Sequence, residues 1–259
     1  MRIVVCAKHV PDATADRAFA EDGTTDRAGV DGVLSELDEY AVEEALKLKE
    51  SGGGEVTVLT MGPARAADAI KKSLQMGADK GLHVTDDALA GSDAAATSLV
   101  LAEAVKKIGD VDLVLFGMAS TDAAMSVVPA MVAERLGLPQ VTFASELSIE
   151  GRSVTIRRDG DVATEIVSSG LPAVVSVTDQ INEPRYPSFK GIMAAKKKPV
   201  QTWSLADIGV DPGAVGLEAA WTRVDSVSKR PPREQGLIVS DDGNGGAVLA
   251  QYLAMQRFV

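Results

Sequence analysis

Five short, mostly apolar runs limit what this chain can become: RIVVCA (2–7), EVTVLT (55–60), KGLHVT (80–85), VDLVLFG (111–117) and LPAVVSVTD (171–179). RIVVCA and VDLVLFG lack the polar alternation of a strand with one wet face, so they suit strands covered on both sides, as in a parallel sheet. Helical patterns stand between the first four. LDEYAVEEALKLKE puts Val42, Ala45, Leu46 and Lys49 on one face, with Glu43 one turn before Lys47. MGPARAADAIKKSLQMGAD buries Ala66, Ile70 and Leu74, with Pro63 suited to a first turn and Gly77 to a C-terminal cap. Ser92 or Asp93 is expected to cap a helix facing inward through Leu101, Ala104, Val105 and Ile108, and VPAMVAERLG forms another. Strand alternating with helix up to Gly137 predicts a parallel, Rossmann-like sheet with right-handed crossovers and helices on both faces.

The rhythm then changes. QVTFASELSIEG, RSVTIRRDGD and VATEIVSS alternate between turn signals and read as an antiparallel extension, after which LPAVVSVTD returns to the sheet. The polar stretch from Pro11 to about Ser35 is long for a connection and suggests functional loops or a small hairpin. A nucleotide-binding-type α/β domain is therefore expected over 1–230. RPPREQG is expected as a linker, followed by a C-terminal arm over 231–259. The arm's helix groups Leu249, Tyr252, Leu253 and Gln256, and packs either on its own domain or on another chain.

A formal charge of −11 and a pI near 4.7 argue against nucleic acid as a partner, since phosphate backbones demand a positive field. Cys6 is the lone cysteine, which excludes an internal disulfide and a cysteine-based zinc site. No metal site is expected. The first residues carry no signal-peptide pattern and no apolar run is long enough to span a bilayer, so a cytoplasmic location is expected. His9 and His83 lack motif neighbours. SGGG and GNGG read as turns, and no catalytic constellation is legible.

Two features invite a ligand or a partner. CAKHVPD and GMASTDAAMSVVPA follow the first and fourth apolar strands, where open α/β sheets bind their ligands. The small residues of the second segment let backbone N–H groups approach a phosphate at a helix start, with Ser120, Thr121 and Ser126 as added donors; close packing is the alternative use of such residues. Residues 182–200, NEPRYPSFKGIMAAKKKPV, gather Arg185, Lys190, Lys196, Lys197 and Lys198 against Glu183 alone, with Phe189 and Met193 among them. Either these apolar side chains tuck inward, or they anchor a docking loop whose charge steers an acidic partner.

LDEYAVEEAL, GPARAADAIKKSLQMGADKGLHV, VDLVLFG, GLPQVTFASEL, LPAVVSV and above all NEPRYPSFKGIMAAKKKPV, in this order, resemble the beta subunit of electron-transfer flavoprotein, in the style of its actinobacterial members. The resemblance implies an adenine-nucleotide α-hydrolase-like fold and a heterodimer with an alpha subunit that holds most of the FAD, the C-terminal arm packing on that subunit. It also implies a buried AMP without a redox role, an electron carrier, and no bond chemistry of the chain's own. The AMP site would use Cys6, Ser35, Glu36, Leu37, Asp38, Met61 and the loop from Gly117 to Val128, including Ser120, Thr121, Asp122, Ala123, Met125, Ser126 and Val127. Phe189 would be the docking anchor, with Lys190, Ile192 and Met193 around it. Asp159, beside Arg158, would tether the flavin domain. Acyl-CoA and other flavin dehydrogenases would be the donors, and a membrane quinone oxidoreductase the acceptor, without insertion of this chain into the membrane. Related sequences carry glycine or polar residues around Ala123, Ala124 and Ser126, so backbone amides would do more of the phosphate binding here. Leu37 and Ala13 stand where some members hold aromatic residues. The alternatives are an electron-bifurcating relative with a second FAD in place of AMP, and a free-standing adenine-nucleotide protein of the stress type.

Overall fold

The computed structural model describes residues 1–16, 18–228, 231–233, 235–236 and 238–259. In chain order the elements are β1 (Arg2–Cys6), β2 (His9–Pro11), β3 (Gly32–Leu34), α1 (Glu36–Gly52), β4 (Glu55–Met61), α2 (Ala67–Met76), β5 (Lys80–Val84), α3 (Ala94–Ile108), β6 (Leu113–Gly117), α4 (Val128–Leu136) and β7 (Gln140–Ala144). There follow β8 (Glu146–Glu150), β9 (Ser153–Asp159), β10 (Thr164–Gly170), β11 (Ala173–Val177), α5 (Phe189–Ala195), β12 (Val200–Trp203) and α6 (Gly245–Met255).

Seven strands form one parallel sheet in the order β12-β5-β4-β1-β6-β11-β7. The apolar runs form strands because both faces are covered. Ile3 and Val5 of β1 point into a core shared with Val42, Ala45 and Leu46 of α1 and Ile70 and Leu74 of α2. Val4 and Cys6 point into the opposite core, with Val100, Leu101 and Val105 of α3 and Val132 of α4. Each such buried aliphatic side chain contributes about 1.5–3 kcal/mol, so polar substitutions inside β1 would weaken both layers.

From β1 the chain builds outward through β4 to β5, then returns to the other side of β1 for β6. The order of strands therefore reverses between β1 and β6, and the carboxyl ends of those strands are where a crevice opens.

The structure corrects several expectations. QVTFA is not part of the antiparallel extension: as β7 it pairs parallel with β11 at the sheet edge, leaving β8, β9 and β10 as the antiparallel layer. VQTW, for which no strand was expected, is β12 and pairs with β5 at the other edge. Lys47 pairs with Glu44 at 3.2 Å, since Glu43 is taken by Arg185. Asp93 caps α3, its Oδ1 accepting from the Ala96 N–H at 3.0 Å. Glycine is required within SGGG, because a Cβ on Gly54 would strike the carbonyl of Met1. The stretch before α1 does contain a small antiparallel pair, β2 with β3.

The chain divides into Met1–Asp225 and Ser226–Val259. The linker expected at 230–236 falls partly outside the described residues, at Arg230 and Glu234. In α6 no residue is buried, and Leu249, Tyr252 and Met255 are exposed.

Candidate functional site

Asp38 organises the crevice between β1 and β6. In the first turn of α1, its carboxylate accepts the Lys8 N–H at 2.8 Å through Oδ2 and the Gly117 N–H at 3.2 Å through Oδ1, tying the two strand exits together. Gly117 has no room for a side chain: a Cβ would lie 2.5 Å from the Leu37 carbonyl and 2.6 Å from Asp38 Oδ1. Burial pushes the Asp38 carboxyl up to about 7, outweighing the amide hydrogen bonds from Lys8 and Gly117. The buried Cys6 thiol, at the end of β1, is raised by burial and by the Asp38 charge.

A second carboxylate behaves in the opposite way. Asp122, in the loop after β6, has a side chain only 1% exposed, yet it is held between two cations. Lys8 Nζ reaches Oδ1 at 2.8 Å, and Arg27 donates to Oδ2 from Nε at 3.0 Å and Nη2 at 2.6 Å. Burial would raise this group, but Lys8 and Arg27 overcome it and hold it at about 2. Burial lowers the Lys8 ammonium, with Asp122 partly offsetting the loss. Arg27 comes from the long loop before β3, so this ion pair closes that loop over the strand ends.

Beside these charges one buried hydroxyl lacks a partner and the loop backbone is strained. Ser35 caps α1 in position only: its hydroxyl makes no capping bond and is buried without a hydrogen-bond partner. Ala124 and Ser126 adopt positive φ angles of 51° and 58°, a left-handed backbone that L side chains resist, and α4 begins beyond them without a side-chain cap. Alternating backbone hands at a helix start direct successive N–H groups into one concavity. A buried orphan hydroxyl and a helix start without a side-chain cap fit a nucleotide whose phosphate meets backbone amides.

Cys6, Ser35 to Asp38 and the loop from Gly117 are thus brought to one crevice. Met61, at the end of β4, is half-buried beside β1; Glu36, Ala123, Met125 and Val127 are exposed. Sequence reasoning missed Lys8 and Arg27. Lys8 stood within a quoted strand exit, but nothing marked Arg27 as a partner of Asp122, because that contact spans 95 residues.

The basic segment has a different construction. Arg185 is not a free charge: its guanidinium donates to both Glu43 oxygens at 2.8 and 2.9 Å and to both Glu50 oxygens at 2.5 and 3.0 Å. Those hydrogen bonds push the Arg185 guanidinium above its ordinary range. Asn182 adds bonds to the Tyr40 carbonyl and Glu44, and Lys198 Nζ reaches the Leu74 carbonyl at 2.9 Å. Gly191 lets α5 press against α2, where a Cβ would strike the Gln75 carbonyl. Thus fastened, α5 buries none of its residues. Phe189 is 80% exposed and Tyr186 92%, while Ile192 and Met193 are also exposed. Inward tucking is ruled out for Phe189 and Met193. Lys190, Lys196 and Lys197 are exposed and take no part in the ion pairs of the described residues.

Arg158 and Asp159 lie at the end of β9, beside a cavity of about 450 Å³ lined also by Met118, Phe143, Ser145 and Asp179. Asp159 accepts from Ser145 Oγ at 2.5 Å, Thr164 Oγ1 at 2.8 Å and Arg157 Nε at 2.9 Å. Arg158 donates to the Thr142 carbonyl and to Glu165.

A seven-stranded parallel sheet wrapped by helices, with its order reversing at a charged strand-end crevice, defines a Rossmann-like α/β protein. Residues 22–208 match the electron transfer flavoprotein domain. The chain is 47% identical to the electron transfer flavoprotein subunit beta of Mycobacterium leprae, covering 99% of each. It is 39% identical to subunit CarD of the caffeyl-CoA reductase-Etf complex of Acetobacterium woodii (93% of this chain, 92% of the relative), and 35% identical to protein FixA of Azorhizobium caulinodans (99% and 95%). The chain belongs to the electron-transfer flavoprotein beta-subunit family. Membership carries an electron-transfer role, a flavin cofactor and an alpha-subunit partner. Among the described residues no helix is long and apolar enough to cross a membrane.

Proposed function

We propose that this chain is the beta half of a cytoplasmic heterodimeric electron carrier. It takes electrons from acyl-CoA and other flavin dehydrogenases and delivers them to a quinone oxidoreductase at the membrane. The observation that carries the reading is α5: an apolar surface left open by design, with a rigid support behind it. A carrier must bind several partners and leave each quickly, and one aromatic anchor with a screened basic rim suits small, short-lived contacts. Phe189 is the anchor, Ile192 and Met193 widen it, and Lys190, Lys196 and Lys197 attract acidic partners.

The flavin, held mainly by the alpha subunit, supplies the redox chemistry when bound. This chain's residues bind, orient and exclude water. Ser35 Oγ and amides of the loop between Gly117 and Val128 hold a structural AMP. Asp38, Lys8, Arg27 and Asp122 fix the crevice that receives it. Arg158 and Asp159 face the part of the alpha subunit that bears the flavin, and the C-terminal arm, 231–259, packs on that subunit. The identity to a subunit of a caffeyl-CoA reductase complex favours a second reading, in which a second FAD occupies the crevice. One FAD plus one AMP extracted per heterodimer supports the carrier; two FAD supports the rival.

Phe189→Ala should cut electron transfer from an acyl-CoA dehydrogenase at least tenfold at limiting carrier, with FAD content unchanged. Equal rates in the purified heterodimer would refute the docking role.

A further inference from the structure

We propose that Asp38 takes up a proton when an anionic ligand fills the crevice at the ends of β1 and β6, coupling nucleotide binding to protonation through this one side chain. The inference rests on the nucleotide reading above. Four charged side chains meet there: Asp38 from α1, Lys8 after β1, Arg27 from the loop before β3, and Asp122 after β6. Lys8 serves both carboxylates, giving its N–H to Asp38 and its ammonium to Asp122. The Cys6 thiol facing them stays neutral, since burial and the Asp38 charge raise it. On α1 itself, Glu36 is exposed and Glu39 is half-buried with Lys72 as its cation, 3.8 Å away.

A phosphate monoester brings about −1.5 to −2 charges. Added to two carboxylates and two cations, it leaves the crevice with excess negative charge in a partly dehydrated site, where like charges repel strongly. One carboxylate must give way. Asp122 is doubly held by cationic side chains and stays ionised. Asp38 has no cationic side-chain bond. Its oxygens accept only the amides of Lys8 and Gly117, and its ionisation midpoint already lies near neutrality because of burial. The proton comes from bulk water and converts the Asp38 carboxylate to the acid, with no other bond changing. By linkage, AMP affinity should rise as pH falls toward 7.

Isothermal titration of AMP into the nucleotide-free, full-length chain tests this, run in two buffers of different ionisation enthalpy. If the ligand raises the Asp38 midpoint by one unit, uptake at about pH 7.5 is roughly 0.5 proton per AMP. The second phosphate ionisation, near 6, is almost complete there and would release protons, not absorb them. Asp38→Asn should abolish the uptake, and adenosine, without phosphate, should give none with the unaltered chain. AMP binding without proton uptake, uptake surviving in Asp38→Asn, or equal uptake with adenosine would each overturn the inference. Should the variant not fold, the AMP and adenosine pair still decides. If AMP does not bind at all, the nucleotide reading falls and this inference falls with it.

Discussion

The crevice of β1 and β6 and the support behind α5 are mirror images in charge. In the crevice one anion, Asp122, lies between two cations; behind α5 one cation, Arg185, lies between two anions, Glu43 and Glu50. Their surroundings differ more than their electrostatics. Beside Asp122 the backbone of Ala124 and Ser126 is strained, while each region leaves one buried side-chain atom without a partner, Ser35 Oγ by the crevice and Asn182 Oδ1 behind α5. Around Arg185 the strong donors are used within the chain, and the open apolar residues point away. An ion cluster can thus shape a cavity to be filled or stiffen a platform to be touched. The orientation of the neighbouring apolar residues distinguishes the two.

The largest way to break the comparison is through Asp38. Its folded midpoint of about 7 lies well above the ordinary carboxylate range, so ionising it opposes folding. The folded state then holds more protons than the unfolded state across that window, and stability falls as pH rises from about 4 to 7. Asp38→Asn removes this slope. Relative to the wild type, its stability in urea should improve by about 1.4 kcal/mol per pH unit across the window, levelling off above 7. A pH-independent difference would show that Asp38 is not titrating there.

Gly117→Ala comes next. With backbone oxygen and the Asp38 carboxylate in the way of a Cβ, it should cost about 3 kcal/mol in urea and loosen the crevice. Arg185→Ala strands Glu43, which is buried, but Arg185 itself is a third exposed; a loss of about 2 kcal/mol is expected, with AMP binding intact. If that variant loses AMP, the two regions are not independent. The smallest effect is a gain: Ala124→Gly with Ser126→Gly relieves positive φ and should add about 1 kcal/mol to the melting free energy. Loss of stability would mean that side chains in this loop contribute packing.

Much of this architecture was legible from the chain. The apolar runs and helical spacing specify the parallel sheet, because burial on both faces leaves a local pattern. QVTFA and VQTW escaped correct placement because edge strands resemble strands of any sheet, and only their long-range pairing makes them parallel. Small residues and strand exits pointed to the ends of β1 and β6, and the basic segment to a stretch whose Phe189 stands exposed. Tyr186, more exposed still, was not singled out, because nothing in its neighbours distinguishes an exposed tyrosine from one that packs.

What the sequence alone determined is periodic: the type and order of most elements, the apolar faces, and the strand ends where ligands gather. Charge pairing was decided only by the tertiary structure. NEPR reads as part of a cationic loop, yet folding places Arg185 on Glu43 and Glu50, more than a hundred residues away, and turns a steering charge into a bolt. Likewise Asp38 and Asp122 are the same residue type with ionisation midpoints near 7 and 2, because one is buried against amides and the other against cations. A titration midpoint reflects the solvent and charges that surround a group in three dimensions, and neighbours along the chain do not encode it.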